Sequence, residues 1–361
     1  MEESKNTIAP LDLITQPAFS VKDGIIVHTN AAAKGCLIPE GEAVASILAT
    51  GQTEYAAFES GCLFLTLCVD GHPWDATVSR LEDADVFVLE QSNCQSELQA
   101  MALAAQELRH PLSNVMTIAD RLFPIAGKEG DKELQEQVAR INRGLFQMLR
   151  IIGNMSDAYR YSQEPSPRLE TRDIGSLVEE ILSSNAALIR QTGVKFDYTL
   201  FVEKVFGLVD EEMLERGISN ILSNALKFSG KGGHIHATLV KKGQMLYLSV
   251  EDMGSGIPSA VRGNLYARYL RQPGIEDGRY GIGLGMVLIR AAATIHGGTV
   301  LMQQLPDAGT RITITIPIRQ NTGAAVQAPL YRVDYAGELD HRLVELSESL
   351  PLEPFYCETH D

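Results

Sequence analysis

The sequence predicts a multidomain α+β protein, and three observations carry that expectation. Short β-rich runs broken by Gly, Pro and Asp turns fill residues 17–91, heptad-spaced apolar residues run through 92–162, and helices alternate with strands over 171–319. The chain has 361 residues, enough for roughly two or three domains with cores of their own. With 45% hydrophobic and 21% charged residues, wholesale disorder is excluded. A formal net charge of −15 argues against nucleic acid or an anionic membrane as the main partner. No apolar run reaches the ~18 residues of a membrane span, and the start, MEESKNTIAP, lacks the basic and apolar regions of a secretory signal. Cys36, Cys62, Cys68, Cys94 and Cys357 are odd in number and outside any CxxC spacing. They fit reduced thiols rather than a disulfide framework or a zinc site. A cytoplasmic location is expected.

After an N-terminal extension (residues 1–16), residues 17–91 open with AFSVKDGIIVHTNAAAKGCL, two apolar runs about a turn at Lys22-Asp23-Gly24. CLFLTLCVDG, WDATVSRL and ADVFVLEQ follow as further strands. A small α+β domain without a ligand satisfies this pattern. The stretch DGIIVHTNAAA also resembles the strand-to-helix entry of a PAS sensor domain, which would make 17–91 a PAS-like sensory module.

Residues 92–162 change period. Leu98, Met101, Ala105, Leu108, Leu112, Val115, Ala119 and Leu122 are spaced alternately three and four apart. After GKEGDKE the pattern resumes at Leu134, Val138, Ile141, Leu145, Met148, Ile152, Met155 and Tyr159. The spacing predicts an antiparallel helical hairpin. One hairpin buries its seams poorly, so pairing of two copies into a four-helix bundle, and hence a homodimer, is expected. A hairpin packed on the first domain satisfies the same pattern. SQEPSPRLE then breaks the helix with two prolines, a hinge over 163–170.

Over 171–319 the sequence predicts a two-layer α/β sandwich. DIGSLVEEILSSNAALIRQTG and EEMLERGISNILSNALKFS read as helices, VKFDYTLFV and HIHATLVKKGQMLYLSVED as strands, and GTVLMQQL with GTRITITIPI as a closing hairpin. The tail, 320–361, carries eight acids and two arginines, which predicts a mostly solvated acidic extension.

Three places in the sandwich invite phosphate chemistry. In NILSNALKFS, Asn220 and Asn224 stand one helical turn apart on one face, followed by Lys227. An asparagine carbonyl is a hard-oxygen ligand suited to Mg²⁺, and a lysine meets phosphate as a point charge. In VEDMGSGIP, Asp252 ends an apolar strand beside the turn glycines Gly254 and Gly256, where a carboxylate can accept a hydrogen bond from an exocyclic amine. In GRYGIGLGMVLI, Gly281, Gly283 and Gly285 precede a helix whose free amides attract phosphate. Each alone also fits an ordinary surface helix, turn or loop. No strand precedes the glycine repeat as in a dinucleotide fingerprint, and no GKS or GKT marks a P-loop.

Taken together, in this order, these motifs resemble the N, G1 and G2 boxes of the ATP-binding fold shared by histidine kinases, gyrase and the Hsp90 chaperones. HGGTV and AGTRITITIPI resemble its closing segments, and LYARYLR, with Tyr266 and Tyr269, resembles the histidine-kinase F box. The resemblance implies ATP and Mg²⁺ as cofactors, an adenine contact at Asp252 and a Mg²⁺ ligand at Asn224. It further implies phosphate contact at Lys227, nucleotide binding by Asn220, by the glycines and by Thr310 of the closing segment, and a lid over about 259–280. Asn220 stands where gyrase and Hsp90 relatives carry the acid that activates water, so histidine kinases are the nearer likeness.

The heptad hairpin resembles the dimerisation and phosphotransfer domain of sensor histidine kinases, whose H box reads roughly H-E-L-R-T-P-L. Here Q-E-L-R-H-P-L matches at Glu107, Leu108, Arg109, Pro111 and Leu112, with Gln106 on the phosphoacceptor rung. A glutamine amide cannot attack a γ-phosphate as imidazole can. His110 lies four residues on, about 6 Å along the axis, and Glu107 is placed to orient it. The resemblance thus implies a dimeric sensor kinase passing phosphate from ATP, through His110 as displaced acceptor, to a response regulator. The other reading is a degenerate kinase that binds ATP without autophosphorylation and acts as a nucleotide-gated scaffold. A third, a chaperone-type ATPase, is disfavoured by Asn220 and the hairpin.

Overall fold

The computed structural model describes residues 11, 14–80, 84–90, 95–128, 132–162, 167–230, 232–254, 256, 284–306, 309–319 and 340–356. Strands β1 (Ala18–Lys22) and β2 (Ile25–Thr29) form an antiparallel hairpin. Its turn residues Asp23 and Gly24 both have positive φ. Asn30 then caps α1 (Ala31–Gly35) by accepting from the Ala33 amide at 2.8 Å. After α2 (Gln52–Ala56), strands β3 (Cys62–Val69), β4 (His72–Arg80) and β5 (Asp85–Glu90) complete an antiparallel half-sheet in the order β2-β1-β5-β4-β3. Phe19 stacked on Phe87, with Leu63, Leu65 and Leu67, forms its buried core.

The long helices α3 (Gln95–Lys128) and α4 (Lys132–Ser162) pack against each other. Leu98, Ala105, Leu112 and Ala119 from α3 are buried, as are Leu145 and Ile152 from α4. Alternate seam residues Leu108, Val115, Ile141 and Met148 are 51%, 49%, 56% and 46% exposed. A single chain therefore covers only part of the heptad pattern.

Beyond the hairpin come β6 (Glu170–Asp173), α5 (Ile174–Gln191), β7 (Lys195–Phe201), β8 (Phe206–Val209), α6 (Glu211–Ser229), β9 (His234–Lys242) and β10 (Met245–Asp252). Helix α7 (Leu284–His296) and strands β11 (Val300–Gln304) and β12 (Thr310–Pro317) follow. Strands β11-β12-β10-β9-β7 form the second half-sheet, antiparallel except that β7 runs parallel to β9, and β6 pairs with β8 apart from it. The alternating burial of β9 and β10 sends Ile235, Ala237, Leu239, Leu246, Leu248 and Val250 to the side that α5, α6 and α7 cover. The start of α6 is fixed by Asp210, whose carboxylate accepts from the Met213 amide at 3.1 Å. The Asp210 amide donates to Nε2 of buried His296 at 3.0 Å. That acceptor role requires a neutral imidazole, and burial holds the ring's pKa below its ordinary value.

Two features depart from the sequence reading. The half-sheets join: Phe64, Leu63 and Cys62 of β3 pair with Val300, Leu301 and Met302 of β11, giving one ten-stranded sheet. Arg290 of α7 reinforces the join through Asp75 of β4 at 2.6 Å and the Phe64 ring at 3.9 Å. Second, the tail is not a solvated extension over residues 340–356. Helix α8 (His341–Leu346) and the segment after it pack on α4, α5 and α6, burying Val344, Leu346, Leu350 and Phe355. Phe355 meets Phe146 of α4 edge to face at 5.5 Å, a geometry worth about 0.5–1.5 kcal/mol beyond the area buried.

Candidate functional site

Helix α6 presents the three polar residues expected of it along one stretch. Asn220 is fully buried; its Nδ2 donates to the Arg216 carbonyl at 2.9 Å, and its Oδ1 accepts from Arg150 of α4 at 3.3 Å. Asn224 donates Nδ2 to the Met286 sulfur at 3.7 Å, which turns its carbonyl oxygen the other way. Gly285, in the first turn of α7, sits against both: a β-carbon there would stand 3.1 Å from Asn220 Oδ1 and 3.9 Å from Asn224 Oδ1. Residues 65 and 61 positions apart in sequence thus meet at one place, where a side chain at 285 would crowd the Asn220 oxygen.

Asp252 ends β10 opposite Thr310 of β12. It is 5% exposed, and burial pushes its carboxyl up to about 6, against hydrogen bonds from the Gly254 and Thr310 backbone that pull it down. The Gly254 amide donates to it at 2.8 Å. Gly254 is required here, because a β-carbon would collide with the Phe228 carbonyl at the end of α6. A buried carboxylate held by backbone amides at a strand end has an oxygen to offer an amine donor. Gly256 follows at φ +71°. Gly281, Gly283, the F-box tyrosines and the expected lid lie outside the described residues, as do residues 163–166 of the expected hinge.

Among the described residues no group of three or more His, Cys, Asp or Glu side chains is arranged to hold a metal. The amide oxygen of Asn224 is a hard donor of the kind Mg²⁺ takes while it keeps waters and draws its remaining ligands from phosphate.

Lys227 does not stand open to solvent. Its Nζ donates to Glu348 of the C-terminal segment at 2.8 Å, and Arg150 reaches the same carboxylate oxygen at 3.1 Å. Beside this pair lies a buried lattice that the sequence reading missed. Arg216 joins Asp157 of α4 at 2.6 Å, Glu345 at 3.6 Å and Asn154 at 3.1 Å, while Arg150 joins Glu345 at 3.5 Å. Arg216 lies one turn before Asn220, a spacing that places it on the same face, but nothing in the sequence tells which distant acids meet it.

Glu107 and His110 are exposed on α3, as is Gln106. No hydrogen bond joins Glu107 to His110, so the expected orienting contact is not formed. His110 comes two residues before buried Leu112, about 200° round the helix, and so faces away from the seam with α4. It is not brought beside Asp252 or Asn224 by any described contact.

Residues 209–320 match the family described as histidine kinase-, DNA gyrase B-, and HSP90-like ATPase. A domain of that kind therefore occupies this part of the chain. A hybrid signal transduction histidine kinase D of Dictyostelium discoideum is 28% identical over 232 residues, 62% of this chain and 15% of that one. An adaptive-response sensory kinase SasA of Parasynechococcus marenigrum is 27% identical over 253 residues, 68% of this chain and 64% of the relative. The chain thus spans less than two thirds of the length of either. The solved structure of full-length ShkA in complex with AMPPNP superposes with a TM-score of 0.51 at 20% identity, covering 63% of this chain and 47% of that one, a likeness of fold. No helix among the described residues is long and apolar enough to cross a membrane.

Proposed function

We propose that this protein is a sensor histidine kinase of a two-component system, binding Mg·ATP and passing phosphate to a response regulator. The convergence of Asn220, Asn224 and Gly285, with Asp252 buried at the neighbouring strand end, is the observation that carries the reading. The matched ATPase family and the two kinase relatives support it. Asp252 accepts from the adenine amine, Asn224 holds Mg²⁺, and Asn220, Lys227, Gly254, Gly256, Gly281, Gly283, Gly285 and Thr310 complete the nucleotide site. Bound Mg²⁺ supplies charge neutralisation at the phosphates.

Residues 17–91 act as a PAS-like sensor, a reading supported by the β2–Asn30–α1 entry. The hairpin 92–162 dimerises through the exposed residues Leu108, Val115, Ile141 and Met148, making a four-helix bundle. The protein works in the cytoplasm. His110 is the phosphoacceptor in place of Gln106, and its exposure leaves it reachable by an ATP-binding domain.

A second reading has its own observations. Gln106 occupies the acceptor rung, and Lys227 is covered by Glu348, as in a degenerate kinase that binds ATP and serves as a nucleotide-gated scaffold. Incubation with γ-labelled ATP and Mg²⁺ separates the two. Acid-labile label on the wild-type chain, lost in His110→Gln, is the expected result. Label absent from both chains despite measurable ATP binding would sink autophosphorylation and leave the scaffold.

A further inference from the structure

The C-terminal segment raises a question that the kinase reading does not absorb, because its most acidic part is buried against the cations of the candidate site. Glu348 places one carboxylate oxygen 2.8 Å from Lys227 Nζ and 3.1 Å from Arg150 Nη1. The Lys227 side chain is only 13% exposed. Glu345, one helical turn earlier and 2% exposed, faces Arg150 and Arg216. The backbone is clamped as well. Arg143 of α4 donates to the carbonyls of Ser347 and Glu348 at 3.1 and 3.0 Å, Gln147 to Ser347 at 3.2 Å, and Asn142 to Phe355 at 3.1 Å. Arg342 reaches the Ser184 carbonyl of α5 at 3.2 Å. Buried Val344, Leu346, Leu350 and Phe355 pin the same stretch from its apolar side. This is a docked strap, seated on α4, α5 and α6 together.

A carboxylate and a phosphate ask the same thing of a lysine, an ammonium at charge-assisted hydrogen-bond distance. Lys227 has three N–H donors, so geometry alone would let it touch both. Charge does not: a nucleotide phosphate brought to Lys227 would place a second anion beside Glu348 in a partly desolvated site, where like charges repel strongly. We propose that residues 340–356 are an intramolecular ligand of the nucleotide site, with Glu348 standing in for a phosphate on Lys227, so that strap docking and nucleotide binding exclude each other. This rests on the nucleotide reading above. The same strap also ties the ATP-binding domain to α4, because Arg143, Gln147 and Arg150 come from the hairpin while Lys227 and Arg216 come from α6. Nucleotide entry then loosens the attachment between the two.

The test uses the full chain and AMPPNP with Mg²⁺ as the probe, with affinity measured by calorimetry for wild type, Glu348→Gln and Arg143→Ala. Glu348→Gln keeps the side-chain shape and removes the competing charge, so about tenfold tighter binding is expected. Removing a negative charge near an anion site would tighten binding even without a strap, and Arg143→Ala resolves that ambiguity. It deletes a positive charge, which simple electrostatics says should weaken binding, yet it unclamps the Ser347 and Glu348 carbonyls, so about threefold tighter binding is expected. An Arg143→Ala chain that binds AMPPNP no more tightly than wild type overturns the inference, as does a Glu348→Gln chain of unchanged affinity. If none of the three binds AMPPNP, the nucleotide reading itself falls, and the strap inference with it.

Discussion

Asp252 gives the sharpest separation between holding the fold and holding a ligand. Its carboxyl is ordinarily half-ionised near 3.8 and in the fold is pushed up to about 6. At about 1.4 kcal/mol per pH unit, keeping it ionised in the folded chain above neutrality costs about 3 kcal/mol. A folded pKa raised above the unfolded one contributes stability that is fully present below 3.8 and lost as pH rises through about 6. Asp252→Asn never ionises, so the variant escapes that loss. Its amide can still accept from Gly254 through Oδ1, but the buried NH₂ forfeits about 1 kcal/mol where it lacks an acceptor. The net expectation at pH 8 is about 2 kcal/mol of added stability, which for a domain of this size raises Tm by roughly 4–8 °C.

The assay is calorimetric melting of both chains without nucleotide, at about pH 8 and about pH 4.5, bracketing the titration. Every other ionisable group is common to the two chains and cancels in the difference. The gain is expected to be large at the higher pH and nearly absent at the lower. AMPPNP affinity moves the opposite way: an Asn NH₂ meeting the adenine amine sets donor against donor, and about a hundredfold loss is expected. Wild-type affinity should itself weaken as pH falls through about 6, because protonation removes the carboxylate's charge and turns one of its two oxygens into a donor. A variant that melts below wild type at pH 8, or a gain of equal size at both pH values, would refute the reasoning.

Arg216→Met leaves Asp157 and Glu345 buried without the guanidinium that faces both, and about 3–5 kcal/mol of stability should be lost in urea unfolding; an unchanged midpoint would show the lattice to be unimportant. Leu108→Glu with Val115→Glu places charges in the exposed apolar face of α3, and sedimentation should shift from dimer to monomer; a wild-type chain already monomeric would dismiss the four-helix bundle.

The candidate site was legible where its determinants are local. Asn220 and Asn224 share a face because of helical periodicity alone, and Asp252 ends a strand whose alternation is written in its own residues. Their meeting with Gly285 was legible only through the order of the motifs, since no local pattern brings residue 285 to residue 220. The join between β3 and β11 was not legible at all. Cys62–Phe64 is an apolar run that any edge could accept, and the pairing depends on where both sheets end. The tail failed for another reason. Counting acids made 340–356 a solvated segment, whereas Val344, Leu346, Leu350 and Phe355 were an available sign of docking. Charge density predicts solvation only when no cation waits in the fold, and Arg150, Arg216 and Lys227 come from helices far away in sequence.

Those same cations bear on the question posed by His110. The ATP-binding domain is fastened to α4, through Arg216 to Asp157 and Asn154 and through Arg150 to Asn220. His110 projects from α3 on the face turned away from α4. Phosphoryl transfer needs the reacting atoms within about 3–3.5 Å and in line. No described contact brings His110 to this site, so the same-chain transfer proposed above calls for movement between α4 and α6. Parting the contacts exposes Arg150, Arg216, Asp157 and Glu345, groups that are costly to leave buried and unpaired but tolerable once hydrated. Glu348 on Lys227 borders this lattice, sharing Arg150 with Glu345.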